Sequence, residues 1–142
     1  MKVKDIMSTP ALSVSEYTNI FHISKLMKEN DVGVIPVCGN GGEIMGVVTD
    51  RDIVLRVIGE EKQPDSVTAK EIMTTQVTTV SPMTDLDDAF DIMAEIKVRR
   101  LPVVENAELV GMVTLGDLSQ SLDYSFEISD ALSEVCRGCE KN

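Results

Sequence analysis

The sequence predicts an α+β fold: two pseudo-symmetric β-α-β-β-α repeats packed as one module, with a C-terminal helical tail. Three observations predict it. First, the chain repeats itself. Asp5-Ile6-Met7-Ser8-Thr9 returns as Glu71-Ile72-Met73-Thr74-Thr75, and Val32-Gly33-Val34-Ile35-Pro36-Val37 returns as Val98-Arg99-Arg100-Leu101-Pro102-Val103. Gly46-Val47-Val48-Thr49-Asp50-Arg51-Asp52 returns as Gly111-Met112-Val113-Thr114-Leu115-Gly116-Asp117. Second, the copies slip by one residue only in the Gly39 to Gly42 stretch, a loop, where a deletion moves no core face. Third, helical spacing and short apolar runs follow each other in the same order in both copies. A unit this short buries its own apolar face poorly, so the two copies are expected to pack together and form paired clefts.

Each copy opens on a short lead, Val3 to Met7 or Ala69 to Met73. A brief extended segment follows, Ala11 to Val14 or Val77 to Val80, with Pro10 and Pro82 as punctuation near its edges. Helices are predicted over Thr18 to Glu29 and Thr84 to Ile96. Leu86, Ala89, Phe90, Met93 and Ile96 fall at helical spacing, and Thr84-Asp85-Leu86-Asp87 has capping-box form. Ile20, Ile23 and Met27 match in the first copy, and His22 is expected on an exposed face.

Paired strands come next, Val34 to Val37 with Ile44 to Val48, and Leu101 to Val104 with Leu109 to Val113. Their linkers suit hairpin turns, and Gly39-Asn40-Gly41-Gly42 lacks the Lys-Ser/Thr that would make it a phosphate loop. A second helix begins near Asp50 or Leu115 and carries Ile53, Val54 and Val57, or Leu118 and Leu122. The expected organisation is repeat 1 over 1–58, a Glu/Pro/Asp/Ser-rich linker over 59–68, repeat 2 over 69–122 and a tail over 123–142. Phe126, Ile128, Leu132 and Val135 suggest a terminal helix there.

The totals bound the function. A chain of 142 residues supports one domain or two half-domains sharing a core. Aromatics make up 4% with no Trp, so the core must be built from Val, Ile, Leu and Met. No run approaches a membrane span, and the N-terminus lacks an apolar leader, which points to a cytoplasmic protein. A net charge of −11 argues against a nucleic-acid polymer as partner and leaves a small anionic ligand open. Cys38, Cys136 and Cys139 form no disulfide framework, which fits a reducing compartment.

The strongest local feature is the junction of strand and second helix, Thr49-Asp50-Arg51-Asp52 and Thr114-Leu115-Gly116-Asp117. Two roles fit these residues. As an N-cap box, Thr caps the orphan amides and the Asp three residues later reaches back to the cap's own N–H. As a ligand site, the same free amides favour an anion, the hydroxyl adds a donor, and the carboxylate can accept both hydroxyls of a ribose. Gly46 and Gly111, just ahead, would let a ligand approach the backbone. Spacing alone leaves both open. No nucleophile–base pair, glycine-framed Ser or metal-ligand cluster is present, so no enzyme is expected.

Residues 3–122 resemble a tandem pair of cystathionine-beta-synthase (CBS) domains, a Bateman module. The paired Asp5-Ile6-Met7 and Glu71-Ile72-Met73 leads carry the resemblance, with Ile35-Pro36-Val37, Leu101-Pro102-Val103 and the two Gly-x-x-Thr-x-x-Asp endings. It implies a regulatory module, similar to free-standing bacterial and archaeal members, for an adenosyl ligand such as AMP, ADP or ATP, with no required cofactor. It assigns ribose to Asp52 and Asp117, and ribose or phosphate to Thr49 and Thr114. Adenine would lie against Thr9, Pro10 and Ala11 with Val34, Ile35 and Pro36, and against Thr75, Gln76 and Val77 with Arg100, Leu101 and Pro102. Arg51, Arg99 and Arg100 would supply cations to two unequal sites, while Arg56 is expected to be solvated or interfacial. Family resemblance also implies a homodimer and an unidentified protein target. Two rivals remain: a scaffold that binds nothing small, and a thiol or metal function at Cys136 and Cys139.

Overall fold

The computed structural model describes residues 1–118 and Val135. A 3-10 turn, Val3–Asp5, leads to β1 (Val14–Ser15), α1 (Ile20–Asn30), β2 (Val34–Cys38) and β3 (Ile44–Thr49). Helix α2 (Asp50–Ile53) runs on into a π-helical stretch, Val54–Ile58. After a second 3-10 turn, Pro64–Ser66, come α3 (Ala69–Ile72), α4 (Leu86–Ile96), β4 (Arg100–Glu105), β5 (Glu108–Thr114) and α5 (Leu115–Leu118). The α+β class is thus found, with two small sheets and helices against them.

Each long helix forms because one stripe is apolar and its first amides find an acceptor. In α1 the Asn19 side-chain Oδ1 accepts from the His22 N–H at 2.8 Å, and Ile20, Ile23 and Met27 turn inward. His22 is exposed, as expected. In α4 the inward stripe is Leu86, Ala89, Phe90 and Met93. The expected Thr84 capping box is corrected. The N-cap is Asp85, because the Thr84 hydroxyl is drawn back into the preceding turn, where it accepts the Ser81 N–H at 3.0 Å. Both helices end on a left-handed residue, Asp31 and Lys97.

The chain divides into two compact units that cut across the repeats. One unit combines Met1–Ala11, Thr78–Asn106 and the described residues from Val110 onward; the other combines Leu12–Val77 and Ala107–Leu109. Each lead has therefore left its own copy. Val3, fully buried, packs with Leu86, Leu101, Val103 and Val113 of the second copy. Ala69 and Ile72 pack with Ile20, Ile35 and Val48 of the first.

The sheets follow the same plan. In the first-copy unit β2 is central, parallel to β1 (Val14 opposite Val37) and antiparallel to β3 (Val34 opposite Thr49). Thr74 of the second lead adds an antiparallel bridge to Val47. In the second-copy unit β4 pairs with β5, Val80 makes a parallel bridge to Val103, and Ser8 bridges Met112. The extended segments thus pair at their C-terminal ends, Val14 and Val80. Pro36 and Pro102 tolerate central strands because their missing N–H is not called on: β1 reaches only Val37 and Cys38, and Pro102 serves the Val80 N–H through its carbonyl at 3.0 Å.

Helix α2 and the stretch after it divide the apolar residues named for them between two faces. Ile53 and Val57 face the core, but Val54 is 58% exposed and shares its outward face with Leu55 and Ile58. Residues four apart lie on one stripe, and Val54, one step past Ile53, is rotated off it. The expected terminal helix, Leu122, Cys136 and Cys139 lie outside the described residues.

Candidate functional site

Both Thr-x-x-Asp segments close as capping boxes. Strand β3 delivers Thr49 in extended conformation to the start of α2, so that its hydroxyl accepts the Asp52 N–H at 3.0 Å. In return Asp52 Oδ2 accepts the Thr49 N–H at 3.0 Å. In the second copy the Thr114 hydroxyl accepts from the Asp117 N–H at 2.9 Å, and Asp117 Oδ2 from the Thr114 N–H at 3.0 Å. A threonine hydroxyl that accepts one bond still has its own proton to donate, so the box does not exhaust the junction.

Around these matching cores the two junctions differ in three ways. The first is the carboxylate itself. Asp52 is only 8% exposed. Its two oxygens share the Thr74 hydroxyl at 3.4 Å each, and Arg56 Nε stands 3.9 Å from Oδ1. Asp117 is less buried and, among the described residues, makes no hydrogen bond outside its box. Ser8 holds the place of Thr74 there, pairing with Met112 through its backbone.

The second difference is Arg56, which is exposed as expected but also bonded. Its head is half-exposed, yet Nη1 donates to the Ile72 carbonyl at 2.9 Å. That carbonyl belongs to the end of α3, where helix carbonyls lack intrahelical partners. Arg56 thus joins the exchanged lead to the Asp52 junction.

The third difference is a pair of opposed substitutions. In both copies the residue after the cap Thr donates its N–H to the residue two before the Pro dipeptide: Asp50 to the Gly33 carbonyl at 2.9 Å, Leu115 to the Arg99 carbonyl at 2.8 Å. In the first copy the Asp50 carboxylate folds over Gly33, with Oδ2 2.9 Å from where a Cβ there would lie. In the second, Leu115 turns into the core and Arg99 is exposed.

The glycines ahead of each box serve the chain's own backbone. A Cβ at Gly46 would lie 2.7 Å from the Thr74 carbonyl oxygen, and one at Gly111 2.8 Å from that of Ser8. The exchanged leads occupy the approach that was expected for a ligand.

The residues expected to line adenine are distributed accordingly. Thr9, Pro10 and Ala11 belong to the unit that holds Arg100, Leu101 and Pro102; Thr75, Gln76 and Val77 belong to the unit that holds Val34, Ile35 and Pro36. Ile35 and Leu101 are core side chains and offer a ligand only their backbone. Arg100 is half-buried at the start of β4. Arg51 is exposed and lines an open depression of about 340 Å³ with Asp50, Val54 and Leu55, on the outward face of its helix. Sequence reasoning passed over Thr74 and the Asp50–Gly33 contact; Thr74 falls in the repeated lead, which was its only signal.

Elsewhere, Gly39 to Gly42 form a hairpin turn, with the Gly39 N–H on the Glu43 carbonyl and Gly42 at positive φ. Burial pushes the half-buried Cys38 thiol above its ordinary pKa. Among the described residues no group of three or more His, Cys, Asp or Glu could hold a metal ion, and no helix is long and apolar enough to cross a membrane.

The CBS domain family model matches residues 3–59 and 69–124. The uncharacterized protein YlbB of Bacillus subtilis is 38% identical over 138 residues, covering 96% of this chain and 93% of that one. Among solved structures, Hypoxic Response Protein I with two coordinated zinc ions is 31% identical with a TM-score of 0.79, over 86% of this chain and 99% of that one. The CBS domain pair of protein MJ0100, in complex with 5'-methylthioadenosine and S-adenosyl-L-methionine, is 27% identical with a TM-score of 0.73, over 84% and 94%.

Proposed function

The chain belongs to the CBS domain family, and from that membership we propose that it is a regulatory, non-catalytic module that binds adenosyl ligands at its two Thr-x-x-Asp junctions. The ligands carry an adenosyl group, with AMP, ADP and ATP first among them. Asp52 and Asp117 accept from ribose hydroxyls, Thr49 and Thr114 donate to ribose or phosphate, and Arg99 and Arg100 hold phosphate. Backbone and apolar atoms of the short extended segments and of the Pro-bearing strands hold the adenine. The observation that carries this function is the MJ0100 pair, alike over 84% of this chain, which holds two compounds that share an adenosyl group.

Regulation follows if the ligand binds one conformation or partner complex better than another, since only differential affinity shifts an equilibrium. A cytoplasmic homodimer is the assembly proposed. The outward Val54, Leu55 and Ile58, each at least half-exposed on one helical face, supply an apolar contact for it.

One observation favours the rival scaffold for the first junction: Asp52 already has partners in Thr49, Thr74 and Arg56. A thermal-shift panel with AMP, ADP, ATP, S-adenosylmethionine and NADH separates the two. A ligand at 100 times its dissociation constant adds about 2.7 kcal/mol, and for a chain of this size that is on the order of 5–10 °C. Unchanged melting with every compound would leave the scaffold.

A further inference from the structure

We propose that the two junctions sort adenosyl ligands by charge, with Asp50 and Arg99 as the specificity-determining residues. The first-copy junction takes adenosyl groups without a phosphate, and the second-copy junction takes nucleotides. This rests on the adenosyl-binding function proposed above and deepens it.

Beside the capping box, both copies keep a backbone hydrogen bond from the start of the second helix to the start of the Pro-bearing strand. Asp50 donates to the Gly33 carbonyl and Leu115 to the Arg99 carbonyl, so these four residues stand in matched pairs at the mouth of each capping box. In the first copy the pair is a carboxylate over a glycine. Asp50 Oδ2 and Cγ lie 2.9 and 3.3 Å from the place where a side chain on Gly33 would begin. Asp50 Oδ1 accepts the Arg51 N–H at 2.8 Å, which holds the carboxylate in that orientation. No side chain can grow from position 33 without displacing it.

In the second copy the same place is inverted. Leu115 is buried in the core and brings no charge, and position 99 carries an exposed arginine side chain where position 33 has none. The next residue repeats the contrast, Val34 against Arg100. The first junction therefore gathers Asp50, Asp52, Arg51 and Arg56, which balance. Asp50 and Arg51 both also border the outward depression, with Val54 and Leu55. Among the described residues the second junction has Arg99, Arg100 and Asp117, a net cation. Ribose and adenine are neutral and suit either junction; a phosphate meets a carboxylate at one and arginines at the other.

Magnitude decides whether this discriminates. A carboxylate and a phosphate oxygen within about 6 Å, at the effective dielectric of a protein surface, interact by enough to change affinity at least tenfold. Screening at physiological salt trims but does not erase an interaction shorter than the Debye length.

The test is calorimetric titration of the full chain with adenosine and with AMP, in wild type, Asp50→Asn and Arg99→Met. Both side chains are exposed, and Asn keeps the acceptor for the Arg51 amide, so both variants fold; melting curves verify it. Asp50→Asn is expected to raise AMP affinity at the weaker site about tenfold while adenosine affinity moves less than about twofold. Arg99→Met is expected to lower AMP affinity at the tighter site by a similar factor, again sparing adenosine. Unchanged AMP-to-adenosine ratios in both variants, with both ligands still bound, overturn charge sorting alone. Failure of the wild type to bind either ligand overturns the adenosyl function, and charge sorting with it.

Discussion

Replacing Asp52 by Ala should destabilise the ligand-free chain more than replacing Asp117 by Ala, although the two residues hold the same place in the repeat. Each substitution removes the acceptor for one threonine N–H at 3.0 Å. Losing that bond at a half-buried helix start costs about 1 kcal/mol. Asp52 carries more. The Thr74 hydroxyl shares its two oxygens at 3.4 Å, a long and weak bond, and loses its acceptor in the variant. That adds about 0.5 kcal/mol. Arg56 Nε, 3.9 Å away on a side chain 53% exposed, adds about 0.5 kcal/mol after solvent screening. Asp52→Ala should therefore cost about 1 kcal/mol more than Asp117→Ala, or about 2–4 °C in Tm. Urea unfolding followed by circular dichroism measures both. Thr74→Val should close part of the gap, since the Asp52–Thr74 term is then already lost; a double-mutant cycle reads that coupling. Equal losses for the two Asp→Ala variants, or a larger one at Asp117, would refute the asymmetry of the two junctions.

Gly46→Ala and Gly111→Ala should each cost about 2 kcal/mol, because the new methyl meets a backbone carbonyl oxygen at 2.7 or 2.8 Å. Gly116→Ala, whose methyl among the described residues meets the Thr114 hydroxyl oxygen at an ordinary 3.6 Å, should cost less than either in the same melts. The Lys2–Asp85 pair, 2.5 Å apart, sets a pH window. Hydrogen bonding and charge from Lys2 hold the Asp85 carboxyl below its ordinary 3.8, and Asp85 in turn holds Lys2 above its ordinary 10.5. The Asp85 contribution is present above 3.8 and is lost as pH falls through the lowered value; that of Lys2 is present below 10.5 and is lost as pH rises through the raised value. Lys2→Met should thus lower Tm evenly between those limits and converge on wild type outside them, with the gap shrinking in high salt. For the proposed dimer, Leu55→Glu should lower the sedimentation-derived mass to that of one chain without changing the circular dichroism spectrum; a dimer that survives places the contact elsewhere.

What could be read from the sequence was whatever the chain says locally. Helices α1 and α4 show their buried faces in a spacing of three and four, and the hairpins show theirs in short apolar runs around turn residues. Sequence reasoning fell short where a side chain had two local options. Thr84 could cap α4 or close the turn before it, and the Ser81 amide won it. Val54 belongs to an apolar run of four, Ile53-Val54-Leu55 and then Val57, and only the direction of the core says which of them turns inward. The exchange of leads was invisible for a different reason. Val3 and Ala69 look equally apolar to either copy's core, and nothing in their own residues says which one they will join.

The Thr-x-x-Asp boxes were legible because both partners lie within four residues, and a duplication displays them twice. Their surroundings were not, because each decisive partner comes from a distant part of the chain: Thr74 is 22 residues from Asp52, and the Ile72 carbonyl is 16 from Arg56. The Gly33–Asp50 contact is the most instructive case. Comparison of the copies singles out Gly33 against Arg99 and Arg51 against Gly116, but it passes over Asp50 against Leu115. An acidic residue inside Asp50-Arg51-Asp52 looks like part of a cap, and a leucine at a helix start looks like core. The hydrogen bond that both copies keep, from position 50 to 33 and from 115 to 99, is what makes the two differences one. Arg99 could stand in its copy only because no carboxylate covers the same ground, and Asp50 could fold back only because position 33 has no side chain. Taken singly, Gly33 is a missing cation and Asp50 a spare acid. As a coupled pair they remove a cation and add a carboxylate at one junction, and two sites of different charge in one chain have reason to hold different ligands.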